Sequence, residues 1–94
     1  MTDDELALRR KVAAAERARA YIDDPLLVAA FEALDARYLM KWRHSPADQP
    51  EMRERIWLYL QAIAEVRAEL NTALEDGEMA RAALDEMRAG ITNP

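Results

Sequence analysis

Apolar residues recur every seven positions in the second half of the chain, and this repeat predicts one long helix over residues 51–89. A first column of the repeat contains Ile56, Ile63, Leu70, Leu84 and Ile91, with Gly77 as its one gap. A second column lies three residues further along and contains Tyr59, Val66, Ala73, Ala80 and Met87, and the face is widened by Leu60 and Leu74. Two such columns are typical of helices that pack against other helices in a coiled-coil manner. A lone helix with so wide an apolar face is unstable, so the pattern predicts a seam covered by helices of this chain or of other copies.

Two shorter helices precede the long one. The spacing of apolar residues predicts a helix over 2–22 and a second over 25–43. They are separated at Asp23-Asp24-Pro25, where Asp24 is suited to cap the second helix and Pro25 to occupy its first position. Residues 44–50 contain two prolines and form a short turn, so the helices on either side should be antiparallel neighbours. The predicted fold is therefore all-α, an antiparallel helical hairpin with a long coiled-coil-like second helix and a shorter N-terminal helix.

Gly77 leaves two alternatives open for the long helix. A glycine can end a helix through a left-handed residue, or it can lie inside a continuous or bent helix at a cost of about 1 kcal/mol. The heptad phase is unbroken from Leu70 to Leu84, which favours continuity. The apolar face beyond Gly77 then needs its own cover, either the first helix or another subunit. The tail 90–94 begins with glycine and is expected to end the helix and fray.

Composition limits the chain to one small domain of 94 residues. Alanine supplies much of the apolar content, so a monomer would bury little area and a homo-oligomer is expected. No apolar run is long enough to span a membrane, and cysteine is absent. The acidic N-terminus is unlike a secretory signal. These features predict a cytoplasmic protein without disulfides.

The residues that usually carry catalysis are nearly missing. His44 is the only histidine and Ser45 the only serine, and with just two glycines the chain cannot form a glycine-rich phosphate loop. Carboxylate pairs occur only at predicted helix ends, where they act as caps or are solvated. The sequence therefore predicts no enzyme, no cofactor and no metal site.

Two basic clusters are candidates for contact with DNA, although the net charge is −5. The first lies on the N-terminal helix, and the second lies near the turn beside Trp42 and Trp57. Together they comprise Arg9, Arg10, Lys11, Lys41, Arg43, Arg53 and Arg55. Basic residues interleaved with aromatic ones can bind nucleic acid. The alternative interpretation is that these side chains are solvated or lie over the tryptophans that close the hairpin core.

Several short segments resemble small proteins encoded among the head genes of phages and prophages. They are residues 17–26 (RARAYIDDPL), Phe31, residues 42–46 (WRHSP) and residues 53–58 (RERIWL). The order of helices also resembles the oligomerisation region of phage small terminase subunits. That resemblance implies a ring of hairpins that docks the large terminase, the motor that packages double-stranded DNA. A helix-turn-helix domain usually precedes such a hairpin, whereas this chain has one helix there, as expected for gene transfer agents that package DNA without strict sequence recognition.

Two functions therefore follow from the sequence. The first is a small terminase-like adaptor in the host bacterial cytoplasm, binding DNA weakly and without sequence preference. The alternative is a homo-oligomeric interaction module, scaffold-like or chaperone-like, with no role in binding nucleic acid. A ring of many copies would favour the first function, and a dimer would favour the second.

Overall fold

The computed structural model describes residues 1–92, and the side chains of residues 1–90. This part of the chain forms three helices and no strand, namely α1 (Asp3–Ile22), α2 (Pro25–Arg43) and α3 (Pro50–Thr92). The predicted all-α class is confirmed. The first two helices end at the predicted residues, and α3 begins one residue earlier than predicted, at Pro50.

Short side-chain caps begin the first two helices. The Thr2 hydroxyl accepts a hydrogen bond from the Glu5 amide at 3.1 Å. The Asp24 carboxylate accepts from the amides of Leu26 at 2.8 Å and Leu27 at 3.0 Å, with Pro25 at the first helical position. These bonds satisfy amides that have no partner within the helix. The Asp23-Asp24-Pro25 boundary thus lies where the sequence predicts it.

The long helix α3 continues through Gly77 without interruption, which confirms the prediction of continuity. No described glycine has a positive φ, so neither Gly77 nor Gly90 provides the left-handed turn that would end the helix. The prediction that the helix stops at residue 89 is wrong, because α3 extends over Gly90 to Thr92. The remaining predicted tail positions, Asn93 and Pro94, lie outside the described residues.

The chain divides into two compact units that share α3. Unit 1 contains residues 1–22 together with α3 from Glu69 onward, and unit 2 contains residues 23–68. Each unit is a pair of helices, so each has its own small core.

Unit 1 is held together by very small side chains. Ala15 and Ala18 of α1 are buried, as are Gly77 and Ala80 of α3. A Cβ atom at Gly77 would overlap the Cβ of Ala15 and would lie 3.1 Å from the carbonyl oxygen of Lys11. The two backbones therefore approach closely only because position 77 has no side chain. The first helix thus covers the apolar face beyond Gly77, one of the two covers expected from the sequence.

Unit 2 pairs α2 with the first part of α3. The Tyr38 and Tyr59 rings lie 5.3 Å apart, the Arg53 guanidinium lies 4.5 Å from the Trp42 ring, and the Arg67 guanidinium lies 4.8 Å from the Phe31 ring. Partners later in α3 contact residues earlier in α2, so the two segments are antiparallel. Ile56 is buried between them, and Ile63 and Leu60 are half-buried.

The two apolar columns of α3 differ in burial. In the first column Ile56 and Gly77 are buried, and Ile63, Leu70 and Leu84 are half-buried. In the second column only Ala80 is buried, while Tyr59, Val66 and Met87 are exposed. One neighbouring helix covers only an arc of a wide apolar face, which leaves the second column largely exposed in unit 2.

Candidate functional site

The surface of unit 2 has two sides, each marked by contacts between α2 and α3. The Tyr38–Tyr59 ring pair marks one side of this two-helix layer. The Arg67–Asp35 ion pair and the Arg53–Trp42 stack mark the other side. Residues three, four or seven positions from these contacts lie on the same side of each helix. Helical spacing therefore assigns the exposed residues to one side or the other.

The first side combines large apolar side chains with three cations, and we call it the basic face. Met52, Tyr59 and Val66 of α3 are seven residues apart and about half exposed, and Leu26 of α2 is 80% exposed. The basic residues of this face are Arg37, Lys41 and Arg55, all exposed. Asp35 is three residues from Tyr38, but its carboxylate is paired with Arg67 on the other side.

The second side combines apolar side chains with charges of both signs, and we call it the mixed face. Its apolar residues, which include the two tryptophans of the chain, are Val28, Leu39, Trp42 and Trp57. Glu32 and Glu54 lie at the same helical spacing and are exposed, and Asp35 is paired with Arg67. Arg53 and Arg43 follow the same spacing, four residues from Trp57 and Leu39, so this face carries as many cations as carboxylates.

The turn between α2 and α3 is fixed by one arginine. Arg53 donates hydrogen bonds to the carbonyl oxygen of Ser45 at 3.1 Å and to its hydroxyl at 3.0 Å, and its guanidinium also stacks on Trp42. The Ser45 hydroxyl in turn donates to the carbonyl oxygen of Trp42. Arg53 was a candidate DNA contact, but its donors are directed into the turn. The position of its guanidinium over the Trp42 ring agrees with the alternative interpretation, in which the basic side chains lie over the tryptophans.

The other basic candidates of unit 2 differ in the contacts that their side chains make. The Lys41 ammonium lies 5.2 Å from the centre of the Tyr38 ring. Arg43, at the end of α2, and Arg55, on the basic face, are exposed. His44 lies at the same turn, with its Nε2 atom 3.1 Å from the Met40 sulfur. Arg43, Lys41 and Arg55 thus remain available for contact with an anion.

The basic candidates of unit 1 line grooves that also contain acids. Arg9 borders a groove of about 500 Å³ between α1 and α3. Besides apolar residues, the groove is lined by three arginines and three carboxylates, namely Arg9, Arg81, Arg88, Glu5, Glu16 and Asp85. Lys11 borders a second groove with Asp4 and Glu86, and Arg10 is exposed. Because the charges at the first groove balance, its chemistry does not favour an anion.

Sequence reasoning missed Arg67, and it named Arg53 as a DNA contact or a cation over a tryptophan without its hydrogen bonds to the turn. Arg53 and Arg67 occupy positions in the 3–4 series that otherwise places Ile56, Leu60 and Ile63 against α2. A cation in an apolar series must find a carboxylate, a carbonyl or an aromatic ring. Arg67 finds both the Asp35 carboxylate and the Phe31 ring. An arginine at a position where this series is otherwise apolar was the signal that could have identified both contacts.

Among the side chains that the structure describes, no group of three or more histidines or acids is placed to hold a metal ion. Within residues 1–92, no helix combines the length and the apolar content that a membrane crossing requires. No protein family, curated protein or solved structure matches the chain significantly.

Proposed function

We propose that the chain is a homo-oligomeric helical adaptor of the small-terminase kind. In this proposal, many copies form a ring, the ring docks the large terminase, and DNA is contacted weakly without sequence preference during viral or gene transfer agent packaging. The observation that supports self-association is the exposure of large apolar side chains on both faces of unit 2.

The burial pattern supports self-association. Among the described side chains, the buried apolar residues are three alanines and Ile56, and no large side chain is fully buried. Meanwhile Leu26, Met52 and Trp57 are about half exposed or more. Burial of apolar surface is the main favourable contribution to folding, so a monomer with this distribution gains little stability. Contiguous exposed apolar surface is typical of sites that bind other proteins.

Contact with DNA in this proposal relies on Arg10, Lys11, Lys41, Arg43 and Arg55. Each copy provides only small basic patches on a net-acidic chain, so a single copy should bind weakly and with a steep dependence on salt. A ring repeats each patch once per copy, and the repeated weak contacts add up to measurable avidity.

The test is retention of duplex DNA by three variants that each lose two positive charges. The first replaces Arg10 and Lys11 with Gln, the second replaces Arg43 and Arg55 with Gln, and the matched control replaces Arg17 and Arg81 with Gln. We expect each of the first two variants to bind DNA more weakly than the control at low salt, with the oligomer mass unchanged. DNA binding that survives the removal of both clusters together would contradict the assignment of these contacts.

The second candidate function is a homo-oligomeric interaction module, scaffold-like or chaperone-like, without nucleic acid. Two observations favour it: Arg53 is committed to the turn, and Arg9 and Lys11 line grooves that they share with carboxylates. Both reduce the positive potential that DNA would meet. If the intact oligomer fails to bind duplex DNA at low salt, this second function replaces the first.

A further inference from the structure

We propose that part of the basic face binds single-stranded nucleic acid, with the ring of Tyr59 stacked on an unpaired base and nearby cations contacting the adjacent phosphates. This inference rests on the proposed contact with DNA, and it specifies the surface and the form of nucleic acid that the surface binds. We call this part of the face the tyrosine patch, which comprises Arg37, Tyr38, Lys41, Arg55 and Tyr59.

An exposed aromatic ring lies at the centre of the tyrosine patch. Tyr59 is 48% exposed, and the Tyr38 ring lies 5.3 Å from the Tyr59 ring at an interplanar angle of 46°. Tyr38 is itself half-buried, so it supports Tyr59 while much of the Tyr59 side chain stays accessible. Stacking on an accessible ring lets a protein bind unpaired bases without sequence preference, because every base has a flat π surface.

Three cations surround this pair of rings. The Lys41 ammonium lies 5.2 Å from the centre of the Tyr38 ring. Arg37 is one turn from Lys41 on α2, and Arg55 is four residues from Tyr59 on α3, about 6 Å along the helix axis. All three cations are exposed. Positive charge on both helices beside an exposed ring suits a ligand in which flat bases alternate with phosphates.

The positive charge of the tyrosine patch exceeds the negative charge near it. The Asp35 carboxylate is paired with Arg67 on the mixed face. Glu51, in the first turn of α3, is one turn from Arg55 and is a single carboxylate against three cations. The balance of charge therefore favours an anionic ligand.

The aromatic ring distinguishes an unpaired base from a base in a duplex. Bases in a duplex are already stacked on one another, so a ring on a helix surface reaches their flat sides only after they are unstacked. Positive charge alone attracts either form of DNA, and it accounts for the duplex contact in the proposed function. Dependence on Tyr59 is therefore the property that separates binding of unpaired bases from general attraction to phosphate.

The tyrosine patch leaves other exposed apolar residues of unit 2 available for contact with further copies. Val66 is seven residues beyond Tyr59, about 10 Å along α3, and Leu26 lies at the start of α2, whereas Lys41 lies near its end. Trp57 lies on the mixed face. Nucleic acid at the patch is thus compatible with the proposed self-association.

The test compares a fluorescent oligothymidine with an abasic strand of the same length, which has the same phosphates but no bases. Binding to the full chain is measured by fluorescence anisotropy at low salt. Tyr59→Leu removes the ring, and Tyr59→Phe retains one. Trp57→Leu is the matched control, because Trp57 is 50% exposed on the other face of the same helix, against 48% for Tyr59. Helix content and oligomer mass are measured for each variant, and Tyr59→Met replaces Tyr59→Leu if that variant loses helix content.

We expect the parent to bind oligothymidine about tenfold more tightly than the abasic strand, because base stacking adds to the attraction of the phosphates. Tyr59→Leu should lose most of this preference, whereas Tyr59→Phe and Trp57→Leu should retain it. Arg37→Gln should weaken the binding of both strands by a similar factor, because it removes a phosphate contact. Arg17→Gln, on α1, removes the same charge and should have a smaller effect.

Four results would overturn the inference: equal affinity of the parent for the two strands, a ringless Tyr59 variant that keeps the preference, an equal loss of preference in Trp57→Leu, or displacement of oligothymidine by polyglutamate at equal charge. The last result would assign the patch to an acidic protein partner. Retention of duplex DNA by the parent, measured in parallel, would leave the proposed function standing in each case. Failure of the parent to bind either duplex or single strands would instead remove the proposed DNA contact itself.

Discussion

Replacement of Gly77 with Ala separates two opposing effects in α3. Alanine is favoured over glycine inside a helix by about 1 kcal/mol, so the substitution would stabilise a helix whose position 77 faced solvent. In this structure the new methyl group would overlap the Cβ of Ala15 and approach the carbonyl oxygen of Lys11 to 3.1 Å. Neither obstacle can rotate away, since both are fixed to the backbone of α1, and the two helices must therefore move apart.

The loss of stability in the Gly77→Ala variant can be estimated from the packing around Gly77. Forcing extra atoms into a packed core typically costs about 1–3 kcal/mol, and a rigid overlap between helices lies at the upper end of that range. After subtraction of the gain in helix propensity, Gly77→Ala should destabilise the protein by about 1–2 kcal/mol. For a domain of this size, that change lowers the melting temperature by roughly 5–15 °C.

The matched control is Gly90→Ala in the same helix. A Cβ at Gly90 has no atom within 4 Å, so this substitution should be neutral or slightly stabilising. The compensating change is Ala15→Gly, which alone should cost about 2 kcal/mol from lost propensity and lost burial of one methyl group. The double variant moves the methyl group from α1 to α3, and its stability should return to within about 1 kcal/mol of the parent.

The assay is thermal unfolding by circular dichroism at one protein concentration, because self-association makes stability depend on concentration. A stabilised Gly77→Ala variant would refute the close approach of α1 to α3. Additive effects of the two substitutions would show that Gly77 and Ala15 do not contact each other.

The remaining predictions concern unit 2. Ile56→Ala should lower the free energy of unfolding by about 2–4 kcal/mol because the side chain is buried. Leu58→Ala, at an exposed position of the same helix, should change it by less than about 0.5 kcal/mol. Equal effects in chemical denaturation would count against the assigned inner side of α3. Arg53→Lys keeps the charge but loses the planar stack on Trp42 and one of two hydrogen bonds, so the melting temperature should fall by an amount corresponding to about 1–2 kcal/mol. Arg67→Met should cost less than about 1 kcal/mol, since the ion pair with Asp35 is partly exposed, and a larger loss would mean that this pair is more deeply desolvated than the structure indicates.

The sequence was sufficient to predict the helices because local signals agree with one another. Asp24-Pro25 provides both a cap and a fixed first residue, and the unbroken heptad phase across Gly77 predicts continuity. The end of α3 was predicted wrongly, because Gly90 signals a stop only if its backbone adopts a left-handed conformation, which local sequence does not dictate.

The candidate site was less predictable because it depends on which helix covers which side of α3. The heptad columns identify a wide apolar face but not the arc that a neighbour buries, so Tyr59 and Val66 could not be distinguished from Ile56 and Ile63. The use of Arg53 also depends on a tertiary contact, since only the folded turn brings the Ser45 carbonyl to it. The grouping of Arg37, Lys41 and Arg55 on one face became visible only when α2 was paired with α3.

The mass of the parent protein in solution tests the central claim, self-association, most directly. Light scattering coupled to size exclusion at micromolar concentration and moderate salt should give a multiple of the 10.7 kDa chain mass. A multiple well above two would agree with the proposed ring. A monodisperse species of 10.7 kDa would contradict the account, because the exposed faces of unit 2 would then have no second copy to cover them.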